Sequence, residues 1–223
     1  DGYRDHSRAL RDQSAAKLTF APDEDSRLMV VANSFSQTAD DPLGQSWGQF
    51  GSNPRSVDPV AEQYNTRKTI EHMQGGISYE RRFGEHSVQV SAYAGQRSVI
   101  QYQSIPRGAQ FFTGATPANS NLRKHSGGVI DFDRSFSGLA SRWIGKYELA
   151  GGKLTTTVGF DYEQSTDQRR GYENFIGTTL GVKGNLRRSE EDRAGCPAPW
   201  RRPSPCWYSN KPAASFPGTC AGG

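Results

Sequence analysis

Short turns and long polar loops alternate along this chain. The segments joining them carry apolar residues at every second position. The short connections are Pro22-Asp23-Glu24-Asp25-Ser26, Phe83-Gly84-Glu85-His86 and Ala150-Gly151-Gly152. The long ones run about Thr38–Thr66, Ser104–Ser135 and from Gln164 onward. Every second connection is short. In an up-and-down antiparallel sheet this puts the short turns at one end of the strands and the long loops at the other.

The strand signal is a period of two. Ala16, Leu18 and Phe20 share one face, and Pro22 ends that segment because proline cannot donate to a ladder. Arg27–Phe35 returns as a second strand. Met73, Gly75, Ile77 and Tyr79 alternate with Gln74, Gly76, Ser78 and Glu80. Val88, Val90 and Ala92 oppose Gln89, Ser91 and Tyr93, and the pattern carries on toward Gln103. Leu139, Trp143, Tyr147 and Leu149 form the apolar face of Phe136–Leu149. Leu154, Thr156, Val158, Phe160 and Tyr162 form that of the next strand. The loop Thr38–Thr66 is turn-rich, with room for a short helix around Val60–Tyr64. These segments predict an all-β fold: a partial antiparallel up-and-down transmembrane β-barrel of about six strands, with short periplasmic turns and long extracellular loops. A soluble β-sandwich would also show one apolar and one polar face. Strands near ten residues, against a soluble mode of about 5–6, favour the barrel. So do the aromatics Phe20, Phe35, Tyr79, Tyr147, Phe160 and Tyr162 near expected strand ends, where a membrane girdle would lie.

The bulk numbers agree with that reading. A mean hydropathy of −0.75 and the lack of any long apolar run leave no transmembrane helix, but a barrel strand needs only one apolar face. The net charge of +4 is scattered and does not describe a polyanion binder. The chain starts Asp1-Gly2-Tyr3-Arg4 without a signal-peptide pattern, so an exported protein would carry its signal upstream. Near Arg193 the composition shifts. Pro197, Pro199, Pro203, Pro205, Pro212 and Pro217 and all three cysteines (Cys196, Cys206, Cys220) fall beyond it. The expected division is therefore residues 1–192 as barrel and 193–223 as a disordered Pro/Cys/Arg-rich tail. A shifted reading frame would account for the break.

No catalytic set is visible, and the chain is not expected to be an enzyme. His6, His72, His86 and His125 lack metal-ligand spacing, and neither a metal nor a cofactor is expected. Asp131 and Asp133 share a strand face, as a calcium pair or a carboxylate dyad would, yet no third partner accompanies them. The basic, aromatic tail around Arg187, Arg188, Trp200, Arg201, Arg202 and Trp207 lacks any nucleic-acid module, so no nucleic-acid partner is expected.

Several stretches carry a family resemblance. They are Asp1-Gly2-Tyr3-Arg4-Asp5-His6-Ser7, Ala16–Asp23, Leu28–Ser36, Asp41-Pro42-Leu43-Gly44, Val57-Asp58-Pro59, Tyr64-Asn65-Thr66-Arg67-Lys68 and His125–Asp131. In this order and spacing, residues 1–192 resemble the barrel region of TonB-dependent outer-membrane receptors. The resemblance implies a barrel of about 22 strands with a plug. It also implies an outer-membrane lipid surround, energy from the TonB complex, and a ferric siderophore or other chelate as cargo. No plug and no TonB box is in the sequence, so the expectation is a receptor fragment that does not transport alone. The residues expected to meet an anionic chelate are Arg107, Arg123 and Lys124, with Trp47, Tyr64, Phe111 and Phe112 offering apolar contact. The alternatives are a passive porin-like barrel and a soluble secreted β-sandwich binding module.

Overall fold

The computed structural model describes residues 2–111, 126–199 and 207–212. Its strands are β1 (Ala9–Phe20), β2 (Ser26–Asp40), β3 (Arg67–Phe83), β4 (His86–Tyr102), β5 (Val129–Leu149), β6 (Gly152–Tyr172), the short β7 (Phe175–Ile176) and β8 (Thr179–Leu180), β9 (Leu186–Pro199) and β10 (Trp207–Pro212). Three short helices lie in loops: α1 (Trp47–Ser52), α2 (Pro59–Gln63) and α3 (Arg107–Phe111). One eight-stranded antiparallel sheet runs β1-β2-β3-β4-β5-β6-β9-β10, and β7 and β8 form a separate hairpin. Sequential strands are neighbours throughout, so the sheet is a partial up-and-down barrel wall. The described residues provide no second sheet to pack on its apolar face, which a β-sandwich would need.

Register pairs apolar residues with apolar residues across the sheet. Leu18, Val30, Ile77, Ala92, Leu139 and Tyr162 stand in one cross-strand row. The next row toward the turns holds Phe20, Leu28, Tyr79, Val90 and Phe160. This is the more exposed face, here called outward: Leu18 is 68% exposed and Phe20 60%. Closer to the turns the same face carries an aromatic cluster. His86 stacks on Trp143 at 5.8 Å and meets Tyr147 at 5.2 Å and Phe83 at 5.9 Å. Toward the loops the face turns mostly polar, first with Ser14, Ser34, Met73, Gln96, Ser135 and Thr166, where Met73 alone is apolar, then with Asp12, Ser36, Glu71, Ser98, Asp133 and Gln168. The apolar band thus covers only the turn half. From Leu139 to Leu149 it spans about ten residue steps of about 3.3 Å, or roughly 25 Å of height at a tilt of about 40°.

The inward face is polar and interlocked. Tyr93 reaches across Gly138 to bond Glu163 Oε1 at 2.7 Å; a Cβ on Gly138 would lie 2.5 Å from the Tyr93 ring. Phe136 crosses Gly95 in the same way and stacks on His72 at 5.9 Å. Aromatic rings over strand glycines fill the space the missing side chains leave and fix the register. Nearer the loops, Arg134 bonds both oxygens of Asp167 at 2.6 Å, and the bulk of Phe132 lies beside the Arg134 and Arg169 guanidinium groups.

Two sequence expectations change and one is extended. Phe35 is not a girdle residue: it sits on the inward face under the Arg11 guanidinium, 5.0 Å away, in mid-strand because β2 runs on to Asp40. The six expected strands are β1–β6, and β9 and β10 extend the sheet to eight. The composition break at residue 193 falls inside β9 rather than at its end. Pro197 and Pro199 lie beyond Glu190–Gly195, the stretch paired with β10, and among the described residues no strand pairs with them on that side. Residues 200–206 and 213–223 of the expected tail lie outside the described residues.

Two substitutions test this account in chain refolded in micelles and unfolded by urea. The β5–β6 turn puts both central residues at positive φ, Ala150 at 52° and Gly151 at 81°. That is the type I′ turn, in which asparagine is favoured at the first position and alanine is strained. Ala150→Asn is expected to stabilise by about 0.5–1 kcal/mol. Gly138→Val drives a branched side chain into Tyr93 and breaks its bond to Glu163; it is expected to destabilise by about 1–3 kcal/mol. An unchanged urea midpoint in either variant contradicts the geometry.

Candidate functional site

The buried apolar residues among those described are Ala61, Tyr64, Val129 and Phe175. All lie at the loop end. The protein core of this molecule is therefore a cap of packed loops on a sheet whose own outward face stays open. Four segments build it: residues 2–8, 41–66, 103–111 with 126–128, and 173–185.

Local sequence signals fold the 41–66 segment. Ser46 and Gln49 form a reciprocal capping box that starts α1. Asp58 caps α2 through Val60 N at 3.0 Å, and Pro59 fits its first turn. This is the short helix expected near Val60. Arg4 ties the amino-terminal segment down by donating to three carbonyls, Pro42 at 3.0 Å, Leu43 at 2.6 Å and Ser56 at 3.1 Å. His6 Nε2 meets the Thr66 carbonyl at 2.8 Å.

A buried amide pair joins the other two segments. Asn174 and Gln110 are both fully buried. Gln110 Nε2 donates to Asn174 Oδ1 at 2.7 Å and to the Ile105 carbonyl at 2.6 Å. Asn174 Nδ2 donates to the carbonyls of Gln103 at 2.7 Å and Ile105 at 3.1 Å. A Cβ on Gly128 would sit 2.4 Å from Asn174 Nδ2, so only glycine lets the two strand ends close on this side chain. Glu173 accepts from Asn185 at 2.9 Å and pairs with Arg187 at 3.5 Å, while Arg187 also donates to the Gln110 carbonyl. The β7–β8 hairpin then packs on the 41–66 segment. Gly181, at φ 73°, approaches the Tyr64 carbonyl so closely that a Cβ would lie 2.7 Å away.

Cations surround this cap. Arg67 lies 3.6 Å above the Tyr102 ring and donates to the carbonyls of Asn65 at 2.8 Å and Gly181 at 3.3 Å. Lys183 bonds Asp131 at 2.5 Å and sits over Tyr172. Its burial works against the charge, but the Asp131 carboxylate more than offsets this and holds its pKa above the ordinary lysine value. Arg107 on α3 holds its guanidinium 4.9 Å from the Phe175 ring. At the opposite end of the sheet, the Ser26 hydroxyl beside Asp23 holds that turn carboxyl below its usual range.

The expected ligand contacts divide by place. Trp47 is 88% exposed on α1, edge-on to Phe50 at 6.1 Å. Arg107 is on α3. Tyr64 is 6% exposed, so its ring is spent on packing rather than presented. Phe111 ends α3. Phe112, Arg123 and Lys124 lie outside the described residues. Trp47 and Arg107 therefore belong to separate segments of the cap. Asp131 and Asp133 do share a face, but each has a cation of its own, Lys183 for Asp131 and Arg170 at 3.6 Å for Asp133. No group of three or more metal-ligating side chains occurs among the described residues. Sequence reasoning missed Asn174, Gln110 and Arg67; the Ser46-x-x-Gln49 signature could have found α1. A trough of about 780 Å³ lies outside the loop cap, on the sheet between the Asp12–Asp133 and Ser14–Ser135 rows of the outward face.

No known protein-family profile matches the chain. Its structure is similar to the crystal structure of the ferric citrate transporter FecA in the unliganded form, with a TM-score of 0.66 and 16% identity. The match covers 86% of this chain and 26% of that one, so the chain spans about a quarter of the transporter's length. At this identity the likeness is one of fold: the described residues form a wall of the same barrel type.

Proposed function

We propose that this chain is part of the wall and external loops of a TonB-dependent outer-membrane receptor that captures a ferric chelate. The observation that carries the reading is the division of the outward face. An apolar band of roughly 25 Å, with aromatics at its turn end, matches the hydrocarbon-facing band of outer-membrane barrels. Each large apolar side chain left in water forgoes about 1.5–3 kcal/mol. Leu18, Phe20, Ile77, Leu139, Leu149, Val158 and Phe160 together would then forgo about as much as the 5–15 kcal/mol that holds a typical domain. Lipid removes that penalty. The turns then face the periplasm and the packed loops face outside.

In this reading the loop cap is the capture surface. Arg107 offers a guanidinium to an anionic chelate, and Trp47 offers an exposed aromatic face. Transport would require the TonB complex and a closed wall. Among the described residues β1 and β10 leave open edges; an unpaired edge is costly in lipid, so insertion needs those edges paired, by further strands in a closed barrel or by neighbouring copies when the chain is reconstituted alone. The chain alone is expected to bind without transporting; energised uptake of ferric citrate into liposomes bearing only this chain would overturn that.

Membrane placement is read by fluorescence. In phosphatidylcholine vesicles, a variant whose only tryptophan is Trp143 is expected to be quenched by brominated acyl chains, and one whose only tryptophan is Trp47 is not. Equal quenching of the two sinks the proposed orientation. Capture is read by titrating ferric citrate against the micelle-held chain. Arg107→Ala is expected to weaken binding by roughly tenfold, the scale of one lost charge-assisted hydrogen bond. Unchanged affinity removes Arg107 from the capture surface.

A further inference from the structure

The trough of about 780 Å³ lies between two polar rows of the outward face, beside the apolar band. Its residues alternate in β1–β5 as side-chain walls with backbone between them: Ser14 and Asp12, Ser34 and Ser36, Met73 and Glu71, Gln96 and Ser98, Ser135 and Asp133. Small hydroxyl side chains keep it open, and the volume is that of a small-molecule site. We infer that this trough takes the neutral sugar headgroup of a membrane glycolipid whose acyl chains lie on the adjoining apolar rows. The inference rests on the membrane reading above.

Three features select that ligand. First, the trough is continuous with the apolar band across a low strip of Ala16, Ala32, Gly75 and Ala94, so one molecule with a polar head and apolar tails covers both. Second, Ser34, Ser98 and Ser135 donate and accept, while Asp12, Glu71 and Asp133 accept; this suits a polyhydroxylated head rich in O–H donors. Third, the two rows that wall the trough carry no cation from β1 to β6; Arg97 and Arg134, which also line it, belong to the row between them, whose side chains the register puts on the inward face, where Arg134 is paired with Asp167, and Arg170 at the margin is paired with Asp133. A phosphate head would meet the Asp12 and Glu71 carboxylates with no cation from their own rows beside them.

The test uses the chain in phosphatidylcholine vesicles doped equally with digalactosyl diacylglycerol and phosphatidylglycerol. Native mass spectrometry after gentle extraction counts the retained lipid, and bromolipid quenching of Trp143, read in the background where it is the only tryptophan, reports insertion independently. The glycolipid is expected to be retained over phosphatidylglycerol. The triple variant Ser34→Leu, Ser98→Leu, Ser135→Leu fills the trough and is expected to lose that retention by roughly tenfold, the worth of one or two hydrogen bonds, with Trp143 still quenched. If the triple variant does not fold, the milder pair Asp12→Asn and Glu71→Gln is expected to lower retention roughly threefold. Equal retention of the two lipids, or retention unchanged in the variants, overturns the assignment. An unquenched Trp143 in the chain whose only tryptophan is Trp143, with no trough substitution, overturns the membrane reading, and the assignment with it.

Discussion

Residue-for-residue pairing of β1 through β6 is the constraint on which the rest depends. The register runs without a shift from Ala9↔Ala39 to Leu149↔Gly152, and the single irregularity comes where β6 meets β9, at Gly171/Tyr172. A slip of one residue in any strand would move its whole apolar set to the inward face. Among the described residues nothing covers the outward face, so burial against a protein core is not what enforces this register there. The inward face enforces it instead. Tyr93 over Gly138, Phe136 over Gly95 and the two-bond Arg134–Asp167 pair each span neighbouring strands and fit only one alignment. The tight turns at Gly84 and Ala150-Gly151 set the same alignment from the strand ends.

The two ends of the strands then solve different problems. At the turn end, short connections leave few backbone groups to satisfy, and the side chains can be given over to the apolar band. At the loop end, long connections bring many unpaired N–H and C=O groups together, and these must find partners. Buried polar side chains supply them. Asn174 and Arg4 bond main-chain carbonyls of segments distant in sequence, Thr66 bonds the Asp41 carbonyl at the far end of its own segment, and Gln110 bonds the Asn174 side chain as well as the nearby Ile105 carbonyl. Such a network is costly when half made, because each orphaned buried group costs about 1–3 kcal/mol. The loops of the cap are therefore coupled to one another: loss of one donor exposes the unmet bonds of several segments.

What could be read from the sequence follows from this division. Where one face is apolar, the period of two is visible, and the rows of Leu18, Ile77, Leu139 and Tyr162 came through in the residue pattern. The hairpin turns were equally plain from their glycines. The strands run further toward the loops than the pattern shows, because both faces are polar there and alternation carries no contrast. β9 is the extreme case: Arg187, Arg188, Glu190, Glu191, Asp192 and Arg193 place charge on both faces, and pairing with β6 and β10 rather than periodicity makes it a strand. Phe35 was misplaced for the same reason, since its strand ends at Asp40 rather than beside it. The loop cap was hidden for a different reason. Asn174 meets Gln110 across 64 positions, and no local signal foretells a contact of that range.

The change of character halfway along the outward face also explains why the strands are so long. A strand made only to cross an apolar layer could stop near Leu139, yet β5 continues to Val129 and β6 to Tyr172. The added length is held by cross-strand ion pairs, Arg170 with Asp133 outward and Arg134 with Asp167 inward. Exposed pairs of this kind contribute little individually. Their use here is positional: they carry the ladder of backbone hydrogen bonds beyond the apolar layer while keeping both faces wettable. That ladder lifts the buried Asn174 and Gln110 pair, and with it the whole loop cap, well clear of the apolar band.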